Sequence, residues 1–149
     1  MVLNPNNWHW IEKNTLQWSK EYLETTLVNF QVPVKDDKYS LVYVKEIENV
    51  TGDSNVSQRK GKVICYYDMD LKFKIGVRPR DAIDETEDVF GTLFIPEFMH
   101  DDMNLMVKMD GFQNDVKGLV DENFINLFSS KLLNYQNDLI SAHTKGIQE

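Results

Sequence analysis

Apolar and polar residues alternate most regularly over residues 63–77. Val63, Cys65, Tyr67, Met69, Leu71, Phe73, Ile75 and Val77 take the odd positions, and Asp68, Asp70, Lys72, Lys74 and Arg78 take even ones. A period of two over this length predicts a long antiparallel strand with one buried face. Ile64 and Tyr66 break the pattern, so both are expected to face solvent. Residues 39–50 (YSLVYVKEIENV) are rich in β-branched and aromatic types and read as the strand before it, with a turn predicted at Gly52 and Asp53. Residues 79–88 (PRDAIDETED) read as a polar, acidic, mobile connection. Residues 89–96 then read as a third strand, and 103–109 as a fourth with Met103, Leu105, Val107 and Met109 inward.

The period changes at both ends of the chain. Leu16, Leu23, Leu27 and Phe30 form one helical stripe, and Ile11, Thr15, Trp18 and Tyr22 run beside it. Asn14 or Thr15 is the expected cap, with Gln17 reaching back to it, and Pro33 is the expected stop. This is a helix of about four turns with an aromatic face. After Gly111, the residues Val116, Val120, Phe124, Phe128, Leu132, Tyr135, Leu139 and His143 recur every three or four positions. They predict one long helix, weakened near its start by Gly118 and ended by Gly146. The fold class is therefore α+β: an N-terminal helix, a four-stranded antiparallel meander, and a long C-terminal helix packed on one sheet face, the other being wet. All 149 residues read as a single domain.

Composition changes this picture little until charge is located. The formal net charge is −8, yet residues 1–75 hold ten basic and ten acidic residues, and the excess lies in the second half. An acidic chain of this kind is not a general binder of nucleic acid or anionic membrane. The single Cys65 allows no internal disulfide and fits a reducing compartment. The N-terminus lacks the pattern of a secretory signal, and no apolar run is long enough to span a membrane.

Catalytic patterns are weak. His9, His100 and His143 lie in separate elements, and there is no zinc-type spacing, phosphate-cradling loop or nucleophile elbow. The expectation is a protein with no enzymatic activity, metal or cofactor. More specific is the run Arg59, Lys60, Gly61, Lys62 beside Ile64 and Tyr66. It reads equally as a solubilising loop end or as a protein-docking patch, in which cations steer an acidic partner and the apolar pair supplies desolvated contact. The N-terminal Trp8 and Trp10 are aromatic anchors for the core or an exposed hook for a partner. A different class of function is a small apolar-ligand carrier, with Met103, Met109, Phe124 and Phe128 lining a cavity between helix and sheet.

The string Asn4-Pro5-Asn6-Asn7-Trp8-His9-Trp10, followed by Gln58-Arg59-Lys60-Gly61-Lys62-Val63-Ile64, resembles the N-terminal domain of the activators of the ninety-kilodalton heat-shock chaperone's ATPase. With Ile95-Pro96-Glu97-Phe98-Met99-His100-Asp101 and the short length, the chain is most similar to that family's short, stand-alone members. The resemblance implies a cytoplasmic co-chaperone that binds the chaperone's middle domain and modulates its ATPase cycle, by weak stimulation or altered nucleotide affinity. It implies Arg59, Lys60 and Lys62 as docking cations, with Ile64 as apolar contact. It places Asn4, Asn6, Asn7, Trp8, His9 and Trp10 in a segment that alters nucleotide handling. Asp53 matches the family's Gly-Asp turn, and both loop-shaping and contact fit it. Tyr66 departs from the aliphatic residue of longer relatives. The chain stops at Glu149, before the second domain of full-length activators, so single-site binding without the avidity of two linked sites is expected.

Overall fold

A computed structural model describes residues 11–148, with side chains given at all of these except Ile11, Arg59 and 145–148. Two long strands dominate it, β3 (Tyr39–Arg59) and β4 (Lys62–Pro79), which form one hairpin. β5 (Val89–Met99) pairs with β4, and β6 (Lys108–Asp110) with β5, completing the expected four-stranded antiparallel meander. The far edge of β3 carries two short strands that the hydrophobic pattern does not announce. These are β1 (Ile11–Asn14), opposite Asn55–Gln58, and β2 (Gln31–Pro33), opposite Leu41–Tyr43. Helix α1 (Leu16–Leu27) connects them, and α2 (Asn114–Asn123), α3 (Ile125–Leu132) and α4 (Tyr135–Gln148) follow the sheet.

The alternation in β4 is realised as predicted. Tyr67, Met69, Leu71, Phe73, Ile75 and Val77 are buried on the helix side, with Ile64 and Tyr66 exposed on the other. The C-terminal stripe from Val116 to His143 is buried throughout, although the single long helix is interrupted at Phe124 and at Leu133–Asn134. Its spacing explains the breaks. Steps of four overshoot a helical turn by about 40° each, so an unbroken helix would rotate the stripe off the sheet within a few steps. Gly146 lies inside α4 and does not end it.

Other expectations are corrected. The first helix has 12 residues, and Ile11 belongs to a strand. Asn14 Oδ1 accepts from the Leu16 N–H, while Gln17 bonds forward to Glu21 rather than back to a cap. The helix stops before Pro33 because Asn29 turns left-handed (φ 70°) and the chain enters β2. Gly52 and Asp53 form no turn, and β3 runs through them. Gly52 (φ 120°) faces Met69 across the ladder, where an added Cβ would lie 2.2 Å from the Asp68 carbonyl oxygen. Its signal thus reports a close backbone approach within a strand. The strand predicted over 103–109 is reduced to Lys108–Asp110, and Met103 is 68% exposed.

The connection after β4 is anchored. Its buried Asp88 accepts from Arg78 Nε at 3.1 Å, from Arg78 Nη2 at 3.0 Å and from the Tyr43 hydroxyl. The Tyr43 ring lies over Gly76, where an added Cβ would sit 2.4 Å from it. This corner of the otherwise wet sheet face is therefore covered. The carrier geometry is not realised: Phe124 and Phe128 are fully buried, stacked at 5.5 Å, with Phe73 edge-on to Phe128. A cleft of about 690 Å³ lies between β6 and α2, touching Met109 but lined also by Lys108, Asn114, Lys117 and Asp121.

Candidate protein-docking surface

The cationic run sits at the tip of the β3–β4 hairpin. Arg59 pairs with Lys62, leaving a two-residue turn in which Lys60 (φ 52°) and Gly61 (φ 80°) are both left-handed. This is the primed turn whose twist suits a hairpin. Its first position favours asparagine or glycine, so lysine there carries strain. Lys60 and Lys62 are exposed and form no ion pair among the described residues, so both ammonium groups remain free to meet an external anion.

Directly opposed residues share a face. The register therefore places Lys62, Ser57 with Ile64, Asn55 with Tyr66, and Asp53 with Asp68 on the side away from the helices. Ile64 is 48% and Tyr66 42% exposed. The His100 ring lies 5.2 Å from that of Tyr66 and extends the apolar strip; its position just past a strand end gave no periodic signal for this role. The surface thus runs from cations at the tip, through Ile64, Tyr66 and His100, to the facing carboxylates Asp53 and Asp68. Asp53 is exposed within β3 rather than in a turn, and it places a carboxylate on this face.

The hairpin is held from behind by a polar cluster that side-chain periodicity does not reveal. Ser54, opposite Tyr67 in the ladder, bonds the Thr15 hydroxyl at 2.7 Å and the Tyr135 hydroxyl at 2.8 Å. Ser19 bonds Tyr135 at 2.6 Å and donates to the Thr15 carbonyl at 2.8 Å. Four buried hydroxyls from β3, α1, its cap and α4 thereby satisfy one another in a region where an unpaired one would be costly. Burial pushes the Tyr135 phenol above its ordinary pKa, partly offset by the bonds to Ser19 and Ser54.

Burial, with Asp101 nearby, pushes the Cys65 thiol up and away from a reactive thiolate. Among the described residues no group of His, Cys, Asp and Glu could hold a metal ion. No described helix is long and apolar enough to cross a membrane. Asn4, Asn6, Asn7, Trp8, His9 and Trp10 lie outside the described residues, as does the side chain of Arg59. β1 begins at Ile11 opposite Gln58, next to the pair that closes the turn.

The family model "Activator of Hsp90 ATPase, N-terminal" matches residues 12–143. The chain belongs to this family. It is 45% identical to the Hsp90 co-chaperone HCH1 of Saccharomyces cerevisiae, covering 99% of both chains. It is 30% identical to the Hsp90 co-chaperone AHA1 of the same yeast, covering 99% of this chain but 44% of AHA1. The crystal structure of Aha-1 from Plasmodium falciparum superposes with a TM-score of 0.71 at 24% identity, over 91% of this chain and 90% of that one. The solution structure of the human Aha1 N-terminal domain gives 0.66 at 18% identity, over 91% and 99%. At these identities the two structures establish the α+β fold of the activator N-terminal domain and nothing finer.

Proposed function

We propose that this chain is a co-chaperone that binds the ninety-kilodalton heat-shock chaperone through the outward face of its β3–β4 hairpin and modulates the chaperone's ATPase cycle. Family membership supports the partner. The observation that carries the site is the pair of exposed lysines, Lys60 and Lys62, without an ion-pair partner among the described residues and held at a tight turn beside exposed Ile64 and Tyr66. Exposed cations raise the association rate with an acidic surface, and the apolar strip supplies contact area once water is expelled. The docking site on the partner is its middle domain, with Arg59, Lys60 and Lys62 as cations and Asp53 at the far end of the face. The segment Asn4 to Trp10 acts on nucleotide handling. Residues 1–149 work as one unit that regulates an ATPase without catalysing a reaction, in the cytoplasm, where the lone Cys65 stays reduced.

Titration of the purified chaperone with the wild-type protein and with a Lys60→Glu/Lys62→Glu variant tests this reading. Wild type binds in the micromolar range, more weakly as salt rises, and changes either turnover or nucleotide affinity. The charge reversal lowers affinity at least tenfold with an unchanged circular dichroism spectrum. Wild-type affinity retained by the folded variant refutes the site. A chaperone whose turnover and nucleotide affinity both ignore the protein refutes the function.

A further inference from the structure

The hairpin outruns its sheet. β5 pairs with β4 only from Asp68 onward, at Asp68↔Met99, so no described strand flanks β4 from Lys62 to Tyr67 on the side away from β3. His100 closes this boundary: its backbone N–H donates to the Tyr67 carbonyl at 3.2 Å, and its Nδ1 lies 3.5 Å from the Tyr67 nitrogen. The Tyr67 amide and carbonyl therefore point away from β3. Backbone groups alternate along an antiparallel strand, and the β3–β4 register is continuous from Lys62 to Asp70. Val63 and Cys65 consequently aim their N–H and C=O groups at the same open edge, while those of Ile64 and Tyr66 bond β3. Two donors and two acceptors are left without a partner among the described residues, on a strip about 17 Å long, five strand residues.

We propose that this edge of β4 over Lys62–Tyr66 receives an extended segment of the protein partner as an added strand. The inference deepens the co-chaperone reading and rests on the hairpin being the docking surface. Charge along the edge defines the segment. Lys60 and Lys62 stand at its outer end, and Asp101 stands at its inner end, tied to α4 by two hydrogen bonds of 2.7 Å with Gln136. Between them Ile64 and Tyr66 flank one face of the edge and half-buried Val63 and Cys65 the other. The complement is a segment of about five residues with a carboxylate at the tip end, a cation at the other, and apolar side chains between. Main-chain bonds supply affinity in such strand additions and the alternating side chains supply selectivity. The same geometry makes the edge a hazard for self-pairing, which the flanking lysines oppose.

Proline tests the edge selectively. At Val63 or Cys65 it removes an N–H that β3 does not use, leaving the β3–β4 ladder intact. Val63→Pro and Cys65→Pro are expected to weaken binding to the purified chaperone at least tenfold while melting near the wild-type temperature. Amide exchange of the wild-type protein gives a readout independent of any variant. The Val63 and Cys65 amides exchange fast in the free protein and slow at least tenfold in the complex. Folded proline variants that bind like wild type, or amides that stay fast in the complex, overturn the proposal. Protection that appears without chaperone as this protein's own concentration rises also overturns it, in favour of a second copy. Lys60→Glu/Lys62→Glu separates the two claims. If the charge reversal abolishes binding and the prolines do not, the added strand falls and the docking face stands. If charge reversal and prolines alike bind as wild type, the docking reading itself falls.

Discussion

Replacing Tyr135 with phenylalanine isolates the contribution of the polar cluster behind the hairpin. The ring is fully buried, 4.8 Å from Tyr67, 5.5 Å from Phe98, 5.6 Å from Tyr22 and 6.1 Å from Trp18, and phenylalanine retains all four contacts. Only the hydroxyl goes, with its bonds to Ser19 and Ser54. Neither serine is orphaned, because Ser19 still donates to the Thr15 carbonyl and Ser54 still pairs with the Thr15 hydroxyl. The loss is therefore two neutral hydrogen bonds at about 1 kcal/mol each, without the larger penalty of a stranded buried group. About 2 kcal/mol corresponds to a fall in Tm of roughly 4–8 °C for a chain of this size. Tyr135→Ala also opens a ring-sized cavity and should cost about 3–5 kcal/mol. Urea denaturation followed by circular dichroism, with unchanged slope, measures both. A Tyr135→Phe variant within about 0.5 kcal/mol of wild type would show that the cluster adds nothing beyond packing. One as damaging as Tyr135→Ala would show that the cluster's other bonds depend on the lost hydroxyl.

Stability should also fall in alkali. Burial raises the phenol pKa of Tyr22, Tyr43, Tyr67 and Tyr135, assisted by Asp138 at Tyr22 and by Asp88 at Tyr43, which is pushed up to about 12. The folded state binds these protons more tightly than the unfolded state, whose phenols titrate near pH 10. The contribution is fully present below about pH 10 and is lost as pH rises through 12. Phenolate absorbance that developed at these four sites near pH 10, with no fall in the urea midpoint, would contradict it. At the hairpin tip, Lys60→Asn places a favoured residue in the left-handed position and should stabilise the fold by about 0.5–1 kcal/mol. The same change removes one of the cations proposed for docking and should weaken chaperone binding. A lower Tm for this variant would show that Lys60 is unstrained.

Much of the fold is legible because its signals are local. The odd positions of β4 and the stripe from Val116 to His143 declare their buried sides wherever their elements are placed. Pairing is not local. Gly52 signals a turn in isolation, yet the ladder runs through it and puts the turn at Lys60-Gly61, a lysine-containing pair that composition alone does not favour. The acidic run at 79–88 looks solvated until Asp88 meets Arg78 and Tyr43, the latter 45 residues away. Ser19 and Ser54 look like ordinary surface residues until Tyr135, 116 positions from Ser19, arrives between them.

The sequence by itself determined the α+β class, the one-sided sheet, the cations at Arg59, Lys60 and Lys62 beside outward Ile64 and Tyr66, and, through its motifs, the family. Each depends on residue type and short spacing. The tertiary structure alone decided that Asp53 lies on a strand facing Asp68, that His100 joins Tyr66, and that β4 extends past β5 so that no described strand flanks Val63 and Cys65 on one edge. Those features depend on where one strand ends against another. That is settled by burial and backbone hydrogen bonding between segments far apart in the chain, which no local period encodes.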